Sequence, residues 1–182
     1  MRIVAGAWRG RTLVAPPGAT TRPTADRVRQ ALFDMLLHAP WAGRDAIAGV
    51  AVLDAFAGTG ALGLEALSRG AASATFLETD KAALTALRGN IVACKAATTS
   101  RVLAADATRP PPGSACRLLF LDPPYAQDLV PRAIAALAAA GWIAPAALIV
   151  AEFGRAEALP ALGTLLAERA HGAARIAVWR GE

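Results

Sequence analysis

Cysteine, histidine and tyrosine are scarce in this chain of 182 residues, which has two, two and one of them respectively. Cys94 and Cys116 form no C-x-x-C pair and both histidines are isolated, so we expect free thiols and no metal site. No uninterrupted apolar run reaches the length of a membrane span, and the first residues lack the hydrophobic segment of a secretory signal. These absences predict a cytoplasmic protein without a metal centre.

The length and the net charge narrow the classes of protein that remain. A chain of 182 residues can form one α/β domain with a substantial core but is too short for two full domains. We expect residues 1–40 to form a basic extension, a hairpin followed by a helix, and residues 41–182 to form the main domain. The net charge of +5 and the excess of arginine over lysine favour an anionic partner.

Positive charge is concentrated in the first thirty residues, where Asp26 is the only acidic residue. The arginines of this segment are Arg2, Arg9, Arg11, Arg22, Arg27 and Arg29. Trp8 lies among them, and guanidinium groups beside an aromatic ring suit phosphate contacts combined with base stacking. We therefore predict RNA contacts at Trp8, Arg9, Arg11, Arg27 and Arg29. The alternative is a solvated basic flank with Trp8 packed on the core.

Residues 118–125 read Leu-Leu-Phe-Leu-Asp-Pro-Pro-Tyr, a short apolar run followed by an acid, two prolines and an aromatic ring. The run predicts a buried strand. Because proline has no N–H to donate, we expect the carbonyls of Asp122 and Pro123 to face a cleft at the strand's end. Two acceptors beside the Tyr125 ring suit a planar base that carries an exocyclic amine. The alternative is an ordinary strand-to-turn junction.

A glycine-rich loop is the second informative motif. Residues 50–54 read as a strand, and Gly58-Thr59-Gly60-Ala61-Leu62-Gly63 fits G-x-G-x-x-G at the start of a helix. Glu78 follows Gly60 by 18 residues, at the end of the next predicted strand. An acid at that place holds the ribose hydroxyls in nucleotide-binding α/β folds. The spacing predicts a nucleoside cofactor and does not say which one.

Hydrophobic periodicity predicts the architecture. A helix capped by Thr24 is expected to bury Val28, Ala31, Leu32, Met35 and Leu36 on one face. Predicted strands near 50–54, 74–78, 101–105, 116–121 and 147–153 alternate with helices near 61–69, 81–95 and 127–140. This alternation predicts a parallel sheet covered on both faces. Residues 164–170 and 174–179 predict a terminal antiparallel hairpin.

Asp54 stands at a strand end, before the glycines, where an acid suits the ammonium of a methionine moiety. Together with the Asp-Pro-Pro-Tyr motif, this makes the chain resemble the S-adenosylmethionine-dependent amino-methyltransferases. More narrowly it resembles the RsmD family, which methylates the exocyclic amine of a guanine in small-subunit ribosomal RNA. The narrower resemblance is carried by residues 2–11, 22–29 and 54–70. It implies a Rossmann-like class I methyltransferase fold and covers almost the whole chain.

The resemblance implies a role for each candidate residue. S-adenosylmethionine is expected to lie over Gly58 and Gly60, with Asp54 near its amino-acid end and Glu78 at its ribose. The adenine amine is expected beside Asp106, for which a helix N-cap is the alternative, and Arg22 and Thr24 are expected near the cofactor's carboxylate. Asp80 is interpreted as a helix N-cap and Glu65 with Arg69 as a surface pair. Glu152 is interpreted as the end of the fifth strand, and contact with the site is the less favoured alternative.

The implied reaction is methyl transfer to the guanine amine. Asp122 and Pro123 are expected to hold both amine hydrogens while Tyr125 stacks on the base. The expected partner is 16S ribosomal RNA, free or within a 30S particle, and the expected state is a monomer. A DNA adenine or cytosine amino-methyltransferase, an RNA chaperone that binds nucleosides without catalysis, and a nicotinamide oxidoreductase are the alternatives.

Overall fold

The computed structural model describes residues 1–16, 23–124, 128–155, 157–171 and 174–181, with the backbone alone for residues 23–25 and 171. The predicted site residues Arg22 and Tyr125 lie outside the described residues, as does the side chain of Thr24. The helices are α1 (Pro23–His38), α2 (Ala61–Ser68), α3 (Lys81–Ala93) and α4 (Leu129–Ala139). The strands are β1 (Ala51–Asp54), β2 (Ser73–Glu78), β3 (Ser100–Ala104), β4 (Cys116–Leu121), β5 (Ile143–Gly154), β6 (Thr164–His171) and β7 (Ala174–Arg180).

These strands form one sheet in the order β3-β2-β1-β4-β5-β7-β6. The first five in chain order are parallel, and β7 runs antiparallel between β5 and β6. The predicted α/β class, parallel sheet and terminal hairpin are therefore confirmed. The strand order reverses between β1 and β4, which is the switch point where ligands bind in open α/β sheets.

Alternate residues of β4 pack on opposite faces of the sheet, as the pleat of a strand requires. Leu118 and Phe120 face a cluster formed with α1, α2 and α3, whereas Leu119 and Leu121 face a cluster formed with α4. All four are at most 1 % exposed. A strand buried on both faces reads as a continuous apolar run, which is why residues 118–121 were predictable.

Helix α1 covers one side of this sheet. It begins at Pro23, so Thr24 lies in its first turn and is not the predicted N-cap. Its buried face contains Leu32, Phe33 and Leu36, and the Phe33 ring lies 5.5 Å from the Phe120 ring. Ala31, which was predicted to be buried, is exposed. The buried stripe is rotated toward Phe33 because that ring packs on the sheet.

Strand β5 begins at Ile143, four residues before its predicted start. Pro145 lies in this first part, and proline argues against a central strand because it cannot donate to the ladder. The strand accommodates it with an irregular register between Cys116 and Leu118 of β4 and with a positive φ of 56° at Ala146. The prediction was wrong here because it assigned the strand no bulge.

The first fourteen residues form a short antiparallel pairing, with a bridge between Arg2 and Thr12. The amide of Ile3 donates to the carbonyl of Arg11, and that of Leu13 donates to Met1. Ile3 and Leu13 are at most 2 % exposed and belong to the cluster that covers the sheet. The N-terminal segment thus shares its core with the sheet, and a domain boundary near residue 40 stays a prediction.

Candidate active site

Acidic residues stand at the carboxyl end of four neighbouring parallel strands. Asp54 and Glu78 are the last residues of β1 and β2, Asp122 follows β4 directly, and Glu152 lies near the end of β5. Because β1 and β4 pair side by side, with Asp54 opposite Phe120, Asp54 and Asp122 flank the switch point of the sheet. The fold therefore gathers the predicted cofactor and base residues at one edge.

The loop between β1 and α2 carries the two predicted glycines. Gly58 has φ 52° and Gly60 has φ 79°, a left-handed backbone conformation that residues other than glycine rarely adopt. A Cβ at Gly60 would lie 2.4 Å from Leu87, whereas one at Gly58 would meet no protein atom within 4 Å. Gly60 thus permits close packing of the loop on α3, and Gly58 leaves open space above the loop.

Asp54 ties this loop to the start of α2. Its carboxylate accepts a hydrogen bond of 3.0 Å from the amide of Gly63, in the first turn of the helix. The N-cap residue Gly60 has no side chain for this task. Asp54 is 1 % exposed, and burial, with a smaller contribution from the charge of Glu78, raises its pKa to about 7 although the Gly63 amide opposes the shift.

Glu78 shapes the glycine loop from the second strand. One carboxylate oxygen accepts from the amide of Gly58 at 2.8 Å, and the other accepts from Thr79 and Asp80 at 2.7 and 2.8 Å. A carboxylate offers about four acceptor positions, so these three amides leave room for a further donor. Asp80 is the N-cap of α3, as predicted, and accepts from the amide of Ala83 at 2.8 Å.

Asn90 is a buried contact of this loop that the sequence analysis missed. It is 1 % exposed, and its amide nitrogen donates to the carbonyls of Thr59 and Val14 at 3.0 and 2.9 Å. Its amide oxygen accepts from the amide of Val14 at 2.8 Å. Because asparagine is a weak helix former, its place in the middle of α3 was the available signal of a polar contact.

Asp106 follows β3 and is exposed. Its carboxylate accepts from the amide and the hydroxyl of Thr108 at 2.7 and 2.8 Å, and chiefly this amide holds its pKa below the usual value. Residues 107–108 form a turn, so the alternative of a helix N-cap is wrong. Contact with adenine stays a prediction.

Asp122 lies on the β4 side of the switch point. Asp122 is an exposed residue although protein atoms surround its carboxyl group, and Pro123 is buried. Burial of its carboxyl, followed by the charges of Glu152 and Asp54, raises the pKa of Asp122 to about 7. A carboxyl with this pKa changes charge near neutral pH and can accept a proton there. Tyr125, the third residue of the predicted set, lies outside the described residues.

A cavity of about 220 Å³ opens at Pro123 and Pro124, the two residues that follow Asp122 in the chain. Its walls are Pro123 and Pro124, Glu152 and Phe153 of β5, the start of α4 at residues 128–131, and residues 157–160. Glu152 was predicted at the end of the fifth strand, with contact to the site as the less favoured alternative. Its position beside Asp122 became visible only once the pairing of β4 with β5 was known.

The predicted RNA-binding residues differ in their surroundings. Arg9 and Arg27 are exposed, and Trp8 is half-buried against the core. The backbone amide of Trp8 donates to Ser68 at 3.0 Å. Arg11 is exposed, but its guanidinium donates to the carbonyl of Ala93 at the end of α3. Arg9 and Arg27 are therefore the more accessible cations of this set.

Arg29 does not fit the predicted RNA-binding set because it is 4 % exposed. Its guanidinium donates to the carbonyl of Arg2 and to Asp26, and lies 3.5 Å from Glu65. Glu65 is fully buried and also pairs with Arg69 at 2.7 Å. The interpretation of Glu65 and Arg69 as a surface pair was thus wrong, since both lie inside the protein.

The same carboxylate fixes the N-terminal segment. Glu65 accepts from the amides of Val4 and Ala5 at 2.8 and 3.0 Å, and the hydroxyl of Ser68 donates to Ala5 at 2.6 Å. Two residues of α2 thereby hold the chain at residues 4–5. Within the described ranges, no group of three or more metal-binding side chains occurs, and no helix is long and apolar enough to cross a membrane.

Comparisons with known proteins agree with this geometry. Residues 1–180 match the family model described as conserved hypothetical protein 95. Ribosomal RNA small subunit methyltransferase D of Escherichia coli is 42 % identical over 88 % of this chain and 78 % of that protein. Its Haemophilus influenzae counterpart is 36 % identical over 94 % and 89 %. The solved structure of yhhF from Escherichia coli has a TM-score of 0.86 at 38 % identity and covers 100 % of this chain and 98 % of that one.

Proposed function

Because this chain belongs to the conserved hypothetical protein 95 (RsmD) family, with the small-subunit rRNA methyltransferases D, we propose that it methylates the exocyclic N2 amine of a guanine in 16S rRNA. The methyl donor is S-adenosylmethionine. The observation that carries the proposal is the placement of Asp122 and Pro123 beside Asp54 at the switch point. At the switch point, hydrogen-bond acceptors for an amine lie next to the glycine loop proposed to bind a nucleoside cofactor.

The residues on the β1–β2 side suit S-adenosylmethionine. The donor set offers two carboxylates, Asp54 and Glu78, for a ligand with an ammonium and two ribose hydroxyls. The open space above Gly58 allows a ligand to approach the backbone closely. Arg22, Thr24 and Asp106 complete the proposed set, at the carboxylate and at the adenine. When bound, the cofactor supplies a methyl group activated by a sulfonium.

The residues on the β4 side suit a guanine amine. This nitrogen is a poor nucleophile because its lone pair is delocalised into the ring. Hydrogen bonds from its two hydrogens to the Asp122 carboxylate and the Pro123 carbonyl favour a pyramidal nitrogen with a localised lone pair. Asp122 then receives a proton, which its pKa of about 7 permits near neutral pH. Tyr125 stacks on the base in this proposal.

The proposed RNA surface is the basic N-terminal segment. Arg9 and Arg27 contact phosphates, Arg11 does so from the end of α3, and Trp8 stacks with its exposed part. Arg29 is left out because it pairs inside the protein. The proposed partner is small-subunit RNA, free or in an assembling 30S particle, and the proposed enzyme is a cytoplasmic monomer.

The test is methyl transfer to ribosomal particles from bacteria that lack this protein. Purified enzyme and S-adenosylmethionine with a radiolabelled methyl are added to 30S particles, to naked 16S RNA and to DNA. We expect label in N2-methylguanosine at one nucleotide of the RNA. Label in DNA adenine or cytosine would favour the DNA methyltransferase. S-adenosylhomocysteine binding without transfer to any of the three substrates would favour a chaperone that has lost catalysis.

A further inference from the structure

The cavity at Pro123 and Pro124 has an acidic residue in its wall. Glu152 lines this space together with Pro123, Pro124 and Phe153, and the volume of about 220 Å³ has room for one planar base. The Pro123 carbonyl belongs to the proposed amine site. Because Pro123 also lines this cavity, a base whose amine is held at Asp122 and Pro123 lies next to it.

The strand register fixes how Glu152 and Asp122 are related. Leu121 of β4 pairs with Ala151 of β5 in a parallel ladder, so the next positions along the two strands are Asp122 and Glu152. Register partners on neighbouring parallel strands project to the same side of a sheet and are about 4.8 Å apart. The charge of Glu152 acts on Asp122, in agreement with this proximity.

Two neighbouring carboxylates match the edge of guanine. Guanine carries a ring N1–H directly beside its exocyclic N2 amine, so these two adjacent positions are both hydrogen-bond donors. Adenine and 2-aminopurine carry an unprotonated N1, whose lone pair is repelled by a carboxylate. A carboxylate beside the amine site therefore distinguishes these bases through the proton on N1.

We propose that Glu152 determines the base specificity of this enzyme by accepting a hydrogen bond from N1–H of the target guanine. Asp122 and Pro123 hold the N2 amine of the same base. The inference rests on the proposed function and adds the residue that selects guanine among bases that bear an amine. Glu157, the other carboxyl in the cavity wall, belongs to the chain after β5 and has no part in reading N1–H.

The test uses one substitution in the RNA and one in the protein. Once the methylated nucleotide is mapped, small-subunit RNA is prepared with either guanosine or 2-aminopurine riboside at that position. The second base keeps the 2-amine but lacks the proton on N1. Methyl transfer to both RNAs is measured as kcat/KM for the wild type, Glu152→Gln, Glu152→Asp and Glu157→Gln.

We expect the wild type to prefer guanosine by about 100-fold or more, since a site built to accept a hydrogen bond rejects an analogue that lacks the donor. Glu152→Gln should reduce this ratio at least about tenfold, because the glutamine amide can donate to the unprotonated N1. Glu152→Asp keeps the carboxylate and should preserve the preference at a lower rate. Glu157→Gln should leave the ratio at its wild-type value, whatever its effect on the rate.

A ratio that stays unchanged in Glu152→Gln while both rates fall together would overturn the inference. A ratio that changes in Glu157→Gln instead would overturn it as well. If the Gln variant fails to fold, loss of the guanosine preference in a folded Glu152→Asp protein would be the contradicting result. Absence of methyl on guanine N2 in the wild type would instead contradict the proposed function, so the two failures are distinguishable.

Discussion

The two halves of the carboxyl edge are built differently. On the β1–β2 side, Asp54, Glu78 and Asn90 each hold the glycine loop or the start of α2 by hydrogen bonds to the backbone. On the β4–β5 side, Asp122 and Glu152 each follow the last pair of the ladder, Leu121 and Ala151, and a cavity opens at Pro123 and Glu152. The first half is preorganised by bonds within the protein. In the second half the charge of Glu152 acts on Asp122, and a ligand that donates hydrogen bonds to Asp122 stabilises its ionised form.

The largest effect is expected from removing the acceptor in the second half. Asp122→Ala should lower kcat by about 1000-fold or more, because the positioned acceptor for the amine is lost. S-adenosylhomocysteine should still bind within a few fold, since its proposed contacts are on the other half. Radiolabel transfer and calorimetry measure the two quantities. Substantial turnover by a folded Asp122→Ala protein would contradict the assignment.

In the first half, the proposed ribose contact at Glu78 is the one to remove. Glu78→Ala should weaken S-adenosylhomocysteine binding by about 1.5–3 kcal/mol, the usual worth of a charge-assisted hydrogen bond. Part of this loss in affinity would arise because the Gly58 amide, which donates to Glu78, loses its acceptor. Glu78→Gln keeps one acceptor oxygen for that amide and is the matched control. Unchanged affinity in both variants, measured by calorimetry, would remove Glu78 from the cofactor site.

The pKa of Asp122 and that of Asp54 are both raised to about 7, so the effect of pH has to be assigned to one half by saturating the cofactor site and by substitution. Asp122 accepts the amine hydrogens best when ionised, so kcat at saturating S-adenosylmethionine should rise with pH through about 7. For a pKa of 7, the ionised fraction is about one tenth at pH 6 and about nine tenths at pH 8. This rise should disappear in Asp122→Asn and persist in Asp106→Asn.

The smallest effect is expected outside the edge, in the basic N-terminal segment. Arg9→Ala should reduce the magnitude of the logarithmic salt slope of RNA binding by about 0.7–0.9, if the arginine neutralises one phosphate. Arg11→Ala should do the same and also lose its bond to Ala93. Trp8→Ala should weaken binding with little change in slope, because stacking releases no counterions. Binding to a small-subunit RNA fragment is measured across a salt series.

Wild-type affinity and slope in the Arg9→Ala, Arg11→Ala double variant would mean that RNA binds elsewhere. Binding of S-adenosylhomocysteine is the control and should not change, because neither arginine contacts the glycine loop.

Much of the fold was predictable because apolar runs and glycines act locally. The strand of residues 116–121 and the loop at Gly58 and Gly60 followed from composition and spacing, and the structure has both. The additional length of β5 was not predictable, because Pro145 is tolerated there only through a bulge formed with β4.

The sequence allowed the site residues to be placed at the ends of strands. It did not show which of these residues contact one another. Glu65 and Arg69 have the spacing of an ordinary surface pair, and only packing with Arg29 and the N-terminal segment makes them interior. Asp54 was predicted for a ligand, and its bond to Gly63 depends on where α2 starts. The proximity of Asp122 to Glu152 follows from the order of the strands, which one sequence does not contain.

Helix α2 is bonded to strand β1 near its start and to the N-terminal segment near its end. Asp54 is bound to Gly63 near its start, and Glu65 and Ser68 hold residues 4–5 near its end. Eight helical residues span about 12 Å at 1.5 Å per residue. The basic N-terminal segment is therefore held at a fixed distance from the glycine loop, because a helix and not a flexible linker connects the two. One residue inserted in α2 would turn the segment about the helix axis by about 100° relative to the loop.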